Sequence, residues 1–441
     1  MLRIGFIFPS SEYLYDPFRG DPHTHFQILT VLEQHFENAI KASLIDLRGI
    51  KKEFSIYHIP ECDVYLYSVY TLDSSEQFAI VKKIREQYPK SIHIAGGPHI
   101  TVYQEDALKI FDSLILSDGE YSIIQAVEDI IKSSLKKIYE QKVPVDINKF
   151  PFPRKHYLPK SAIARKGLMT LKNKTGYDQI LGTTVIFSRG CPFACSFCAM
   201  PQMRQYAPGQ RYRKPELIEE EIEYLKKYYN IRGLNVLDEI AIPYNITAAR
   251  EHLKAIQRTN IKWRGQCRVD SLTPEMAQLL KDSGCIAMGL GVESASQVSL
   301  DYINKKITIE QAKNAIRLLK KYDIEARIYM IIGLPGEPEN IFDISWEFIQ
   351  ETDPDWVYLS IFTMRPGTEV FNNPKKFGIK EIKTDWDKTM HMYGRYTKEI
   401  PTLSFEYEEN APWGKGLSSE NIIKNYMTLQ EKLKANGFGP I

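Results

Sequence analysis

Two successive alternations of short apolar runs with amphipathic stretches constrain the fold of this 441-residue chain more than any other feature. In the first, runs at 3–8, 42–47, 64–69, 92–95 and 113–116 read as strands, with helical patterns such as 26–39, 76–87 and 123–133 between them. Short apolar strands that alternate with helices predict a doubly wound, Rossmann-like parallel sheet that binds ligands at its strand C-termini. This α/β unit is expected over residues 1–140. The stretch from Val143 to Pro153 is too proline-rich for a helix or a central strand, and 141–182 reads as a linker.

The second alternation begins at Thr183. Its strands are expected at 183–188, 234–237, 263–268, 287–292, 326–332 and 356–362, separated by helices at 216–229, 248–258, 274–283, 309–322 and 341–351. Six strand–helix units predict a curled parallel sheet, a partial (β/α)6 TIM-like barrel over 183–370 with its site at the strand C-termini. The remainder, 371–441, holds Trp386, Trp413 and a helical pattern at 419–434, and is expected to form a small C-terminal cap. A chain this long exceeds one ordinary core, in keeping with several domains.

Between the first barrel strand and its helix stands Cys191-Pro-Phe-Ala-Cys195-Ser-Phe-Cys198. Three thiols on one loop can hold three irons of a 4Fe–4S cluster and leave the fourth iron open to an external ligand. A structural zinc site would require a closed set of four ligands, and the other thiols, Cys62, Cys267 and Cys285, lie far along the chain without metal-like spacing. Those three read as small buried hydrophobes. A zinc-containing nucleic-acid-binding module is the competing reading. The net charge of +2 gives it no electrostatic footprint. Clustered thiols and an N-terminus that runs straight into a strand-like segment point to a reducing cytoplasm without a signal peptide, and no run approaches a membrane span.

CxxxCxxC with Phe197 before the last cysteine resembles the radical S-adenosylmethionine (SAM) superfamily. The resemblance implies that Cys191, Cys195 and Cys198 are metal ligands, that SAM chelates the open iron, and that its cleavage yields a 5′-deoxyadenosyl radical. It extends to the other strand ends. Asp238 and Glu239 stand where the family receives the SAM amino group. Glu293 and Ser294 stand at its ribose position, and the Gly333–Gly336 turn at its adenine side. Arg268 and Arg327 are candidates for the SAM carboxylate, since a guanidinium pairs bidentately with carboxylates.

The front domain resembles cobalamin-binding domains through Ser68, Gly96, Gly97 and Gly119 at strand ends, where small residues let backbone approach a ligand tail. The family's lower-ligand signature is incomplete: Asp21 and His23 match, but Phe26 stands where glycine is required, so His23 is expected not to ligate cobalt. The resemblance implies cobalamin-dependent methylation of an unactivated carbon. Relatives such as the anaerobic magnesium-protoporphyrin cyclases leave cyclisation, ring contraction or oxidation as alternatives. Expected partners are a small-molecule or peptide substrate and an electron donor such as flavodoxin or ferredoxin, with no nucleic acid.

Overall fold

The computed structural model describes residues 1–439 apart from 13, 15, 19, 204–208 and 390–399. The chain forms two compact units, the first over Met1–Ile163 and the second beginning at Ala164.

In the first unit, β1 (Leu2–Phe8), β2 (Ile40–Asp46), β3 (Val64–Ser68), β4 (Ile92–Gly96), β5 (Ser113–Leu116) and β6 (Ile138–Glu140) form one sheet in the order β2-β1-β3-β4-β5-β6. Every pairing is parallel. This is the doubly wound sheet expected from the alternation. The order reverses between β1 and β3, where such folds open a ligand crevice. The edge strand β6 has no counterpart in the sequence reading because its pattern is minimal: Ile138 and Glu140 are exposed and Tyr139 alone is buried.

Period two explains the layers. Val64 and Leu66 join Ile4, Phe6 and Ile94 in one core, while Tyr65 and Tyr67 join Ile80, Ile84 and Phe111 in the other. A buried phenol requires a hydrogen-bond partner. Tyr65 donates to the Pro60 carbonyl at 2.8 Å, and the Tyr67 hydroxyl pairs with His93 Nδ1 at 2.9 Å. The helix His23–Phe36 covers one face, and residues 154–157 are fastened to it and to the loop before it: Arg154 N donates to Thr30 Oγ1, Tyr157 to Glu33, and Lys155 to Asp21 of the loop in an ion pair buried on both sides.

In the second unit, β7 (Gly182–Val185), β8 (Gly233–Val236), β9 (Lys262–Arg268), β10 (Cys285–Glu293), β11 (Glu325–Ile332) and β12 (Trp356–Ile361) pair in consecutive order, all parallel. Helices Pro215–Tyr229, Ile246–Arg258, Pro274–Asp282, Ile309–Lys321 and Ile341–Thr352 connect them, giving the expected curled half-barrel. Their starts follow capping chemistry: proline opens the helices at 215 and 274, and Thr308 with Gln311 forms a capping box. Gly289 is required by packing, because a Cβ there would stand 2.6 Å from the ring of Tyr329, which stacks on Tyr358.

β7 ends at Val185, three residues before the expected end. Phe187 and Ser188 donate to the Asp238 carboxylate, and Ser188–Arg189 pairs antiparallel with Arg211–Tyr212. The C-terminal segment adds the antiparallel pair β13 (Ile379–Ile382) and β14 (Phe405–Tyr407) and the helix Ser419–Ala435. Ile422 of that helix packs on Gly333, and Val357 N donates to the Phe438 carbonyl. Among the described residues, no helix is long and apolar enough to cross a membrane.

Candidate active site at the barrel strand ends

Because all six barrel strands run parallel, the residues that follow their C-termini share one edge of the sheet. The cysteine loop follows β7, Asp238 and Glu239 follow β8, Arg268 ends β9, Glu293 ends β10 and Gly333 follows β11.

The cysteine loop is pinned on several sides. Gly190, at φ +88°, enters it and donates its N–H to Glu239 Oε2 at 3.1 Å. Asn304 donates to the Ala194 carbonyl at 2.7 Å, Ser196 N donates to the Ile303 carbonyl at 2.8 Å, and Ser196 Oγ donates to Glu369 at 2.7 Å. None of the three thiols is in a disulfide. Burial pushes the Cys191 and Cys198 thiols up, so their thiolates require positive charge beside them. Each sulfur faces an N–H donor: Phe193 N at Cys191, Met200 N at 3.5 Å from Cys198 Sγ, and Arg268 Nη1 at 3.7 Å from Cys195 Sγ. Phe197 is half-buried within the loop. Among the described residues, no three His, Cys, Asp or Glu side chains converge on one point as ligands of a single ion do. Thiolates that anchor separate irons have no need to. Cys267 and Cys285 are buried in barrel strands, and burial pushes both thiols up.

The two acids after β8 differ in role. Asp238 is 2% exposed, and its oxygens accept from Phe187 N at 2.8 Å and Ser188 Oγ at 2.6 Å. Burial raises its carboxyl to about 8. Both oxygens are thus engaged in holding the approach to the cysteine loop. Glu239 reaches solvent, yet crowding by protein raises its carboxyl above the ordinary range.

Glu293 has φ +69°, an uncommon conformation for a residue other than glycine, at a register shift between β10 and β11. Its carboxylate accepts from Lys305 Nζ at 2.6 Å, and Gly291 leaves room for that pair. Ser294 donates to Glu337 at 3.4 Å. Glu337, which the sequence reading did not single out, is 1% exposed and accepts from Gly333 N at 2.7 Å. Burial raises its carboxyl to about 8. It clamps the turn after β11, where Gly333 and Gly336 have φ +92° and +87°. A Cβ on Gly336 would press on Ser299 and Tyr302 at 2.9 Å. An acid closing a Gly-Leu-Pro-Gly turn was the available signal.

The two arginines are placed differently. Arg268 donates to Asp270 through Nε and Nη2 at 2.9 Å each, to the Lys305 carbonyl at 2.8 Å and to Cys195 Sγ, while its guanidinium lies 3.7 Å from the Phe193 ring centroid. Four of its five N–H groups are engaged, which leaves one and no bidentate fork for a carboxylate. Arg327 lies near the start of β11, roughly 17 Å of strand from Ile332 at about 3.3 Å per residue. It pairs with buried Glu325 and donates to the Thr170 carbonyl. The structure does not bring Arg327 to the strand-end site.

In the first unit, the glycines have internal reasons. Gly97 has φ +104°, and a Cβ there would meet Val69 N and O at 2.7 Å. Gly96 abuts the Ile115 carbonyl, and Gly119 abuts Ile28. Ser68, at the end of β3, accepts from Gln77 through its carbonyl, and the Gln77 Oε1 beside it is a buried acceptor without a partner. His23 opens a helix, and Asp21 is committed to Lys155.

The family model described as Radical SAM superfamily matches residues 185–349, the span that holds the three thiols and the ends of β8 through β11. A protein of Pyrococcus horikoshii named as an uncharacterized methyltransferase is 28% identical over 343 residues, covering 74% of this chain and 71% of that protein. The bacteriochlorophyllide d C-12(1)-methyltransferase of Chlorobaculum tepidum is 24% identical over 388 residues, covering 87% and 76%. The solved structure of the cobalamin-dependent SAM radical enzyme OxsB, with aqua-cobalamin and SAM bound, superposes with a TM-score of 0.66 at 18% identity over 99% of this chain and 67% of that one, a shared fold.

Proposed function

Residues 185–349 form a radical SAM domain, and on that premise we propose that the chain is a cobalamin-dependent radical SAM methyltransferase acting on an unactivated carbon of a small molecule. The observation that carries the proposal is a pinned three-thiol loop at the strand ends of a parallel half-barrel, inside the matched segment. When bound there, a 4Fe–4S cluster supplies the electron that splits SAM into methionine and a 5′-deoxyadenosyl radical. Cys191, Cys195 and Cys198 are the residues that would hold it.

Around that loop, Glu239 is the better candidate for the SAM amino group, since its carboxylate reaches solvent while Asp238 is spent on Phe187 and Ser188. Glu293, held by Lys305, presents a fixed carboxylate to ribose hydroxyls, and the turn clamped by Glu337 offers backbone groups to the adenine. The half-barrel's task is to hold substrate carbon and radical source at reacting distance and to exclude water.

Cobalamin in the first unit would supply the methyl group. The sheet order, with its crevice between β1 and β3, supports this reading, as does the fold shared with OxsB. The commitment of Asp21 to Lys155 supports a corrin held without His23 as ligand. Partners on this reading are a small-molecule substrate and a low-potential electron donor. The test is anaerobic reconstitution with hydroxocobalamin, followed by turnover with methyl-labelled SAM. Stoichiometric retained corrin and label in a methylated product support the proposal. A protein that makes 5′-deoxyadenosine but retains no corrin overturns the methyl-transfer part.

A further inference from the structure

Arg268, one of two candidates for the SAM carboxylate, turns its side chain to the cysteine loop. It is 4% exposed and lies flat on Phe193, two residues before Cys195. Asp270 grips it from one side, and the Lys305 carbonyl takes another N–H. The remaining engaged donor, Nη1, approaches Cys195 Sγ at 3.7 Å. Lys305 in turn holds Glu293. One guanidinium thus ties the first thiol-loop aromatic, the middle thiol and the end of β10 into one unit.

We infer that Arg268 is a positioning residue for the cluster, donating to the Cys195 thiolate and favouring the reduced state. This rests on the cluster reading above. Reduction adds one electron from an external low-potential donor and breaks no bond. The extra negative charge falls on the cluster and its thiolates. A hydrogen bond and a buried positive charge beside one of those sulfurs stabilise the reduced form more than the oxidised form. Asp270 fixes the guanidinium and partly neutralises it.

Redox titration of the SAM-free holoenzyme, followed by electron paramagnetic resonance, tests this without involving SAM contacts. Iron and sulfide are counted first. In Arg268→Gln, with full iron, the ratio of reduced to oxidised cluster at a fixed potential should fall about tenfold, the size of one charge-assisted hydrogen bond. Arg268→Lys keeps the charge but not the fork, and should fall less. Asp270→Asn should move the ratio upward, because the guanidinium charge is then less compensated. A merely structural arginine would shift neither ratio. Full iron with an unchanged ratio in Arg268→Gln overturns the inference. If that variant assembles no cluster, unchanged ratios in both Arg268→Lys and Asp270→Asn overturn it equally. A wild-type protein without iron or sulfide overturns both this inference and the functional reading beneath it.

Discussion

Removing the Glu337 carboxylate should loosen the turn after β11. Glu337 accepts from the N–H groups of Gly333 and Leu334, in a site closed to water. Glu337→Ala leaves both donors buried without an acceptor, at about 1–3 kcal/mol each. With the cavity left behind, the loss at pH 4.5 should reach about 3–5 kcal/mol, a large share of a typical domain's stability. Glu337→Gln keeps an acceptor for Gly333 and at pH 4.5 should cost about 1 kcal/mol or less. The pair also separates in pH. Burial raises the Glu337 carboxyl from 4.5 to about 8, so its contribution is full below pH 4.5 and is lost as pH rises through 8. Wild type should therefore weaken against the Gln variant between those values, by a few kcal/mol at about 1.4 per unit. Contributions of Asp238 and other acids cancel in the difference. All five tryptophans lie in the second unit, at 263, 346, 356, 386 and 413, so urea unfolding followed by tryptophan fluorescence reads that unit alone. At pH 4.5, where the contribution is full, an Ala variant within about 1 kcal/mol of wild type would refute the clamp.

Arg327→Met should destabilise the second unit by about 3–5 kcal/mol, by leaving Glu325 buried and unpaired, and leave SAM affinity unchanged; unfolding and equilibrium binding read the two effects separately. Glu239→Gln should weaken SAM binding roughly tenfold, whereas Asp238→Asn should perturb the cysteine loop and the cluster spectrum first. Gly97→Ala should destabilise the first unit through its φ and the contact with Val69, seen as earlier loss of far-ultraviolet dichroism in a denaturant titration, and should lower corrin retention.

Much of the architecture was legible because both sheets are parallel and their strands alternate with helices. Strands such as β3 and β10 appear as near-continuous apolar runs, and the helices between them carry cap signals at their first turns. What escaped were elements defined by partners far along the chain. β6 contributes one buried side chain, too little for a pattern. β7 is cut short by a carboxylate 51 residues away, at Asp238. The cysteine loop announces itself by spacing, because three thiols on one loop have few other uses. The acids and arginines do not, since a strand-end carboxylate looks alike in sequence whether it faces a ligand or, like Asp238, its own backbone. Arg268 and Arg327 are likewise indistinguishable by type. Position along the strand separates them: one ends β9 beside Cys195, the other starts β11 beside Glu325.

The central claim is that Cys191, Cys195 and Cys198 hold a cluster that cleaves SAM. The direct measurement is iron, sulfide and 5′-deoxyadenosine per chain in anaerobically reconstituted wild type and in the three single Cys→Ala variants, with a strong reductant present. The account predicts four irons and four sulfides in wild type, reductant-dependent 5′-deoxyadenosine, and no cleavage in any variant. Full iron content with cleavage in any of the three Cys→Ala variants, or a wild type that binds zinc and neither iron nor sulfide, would contradict it.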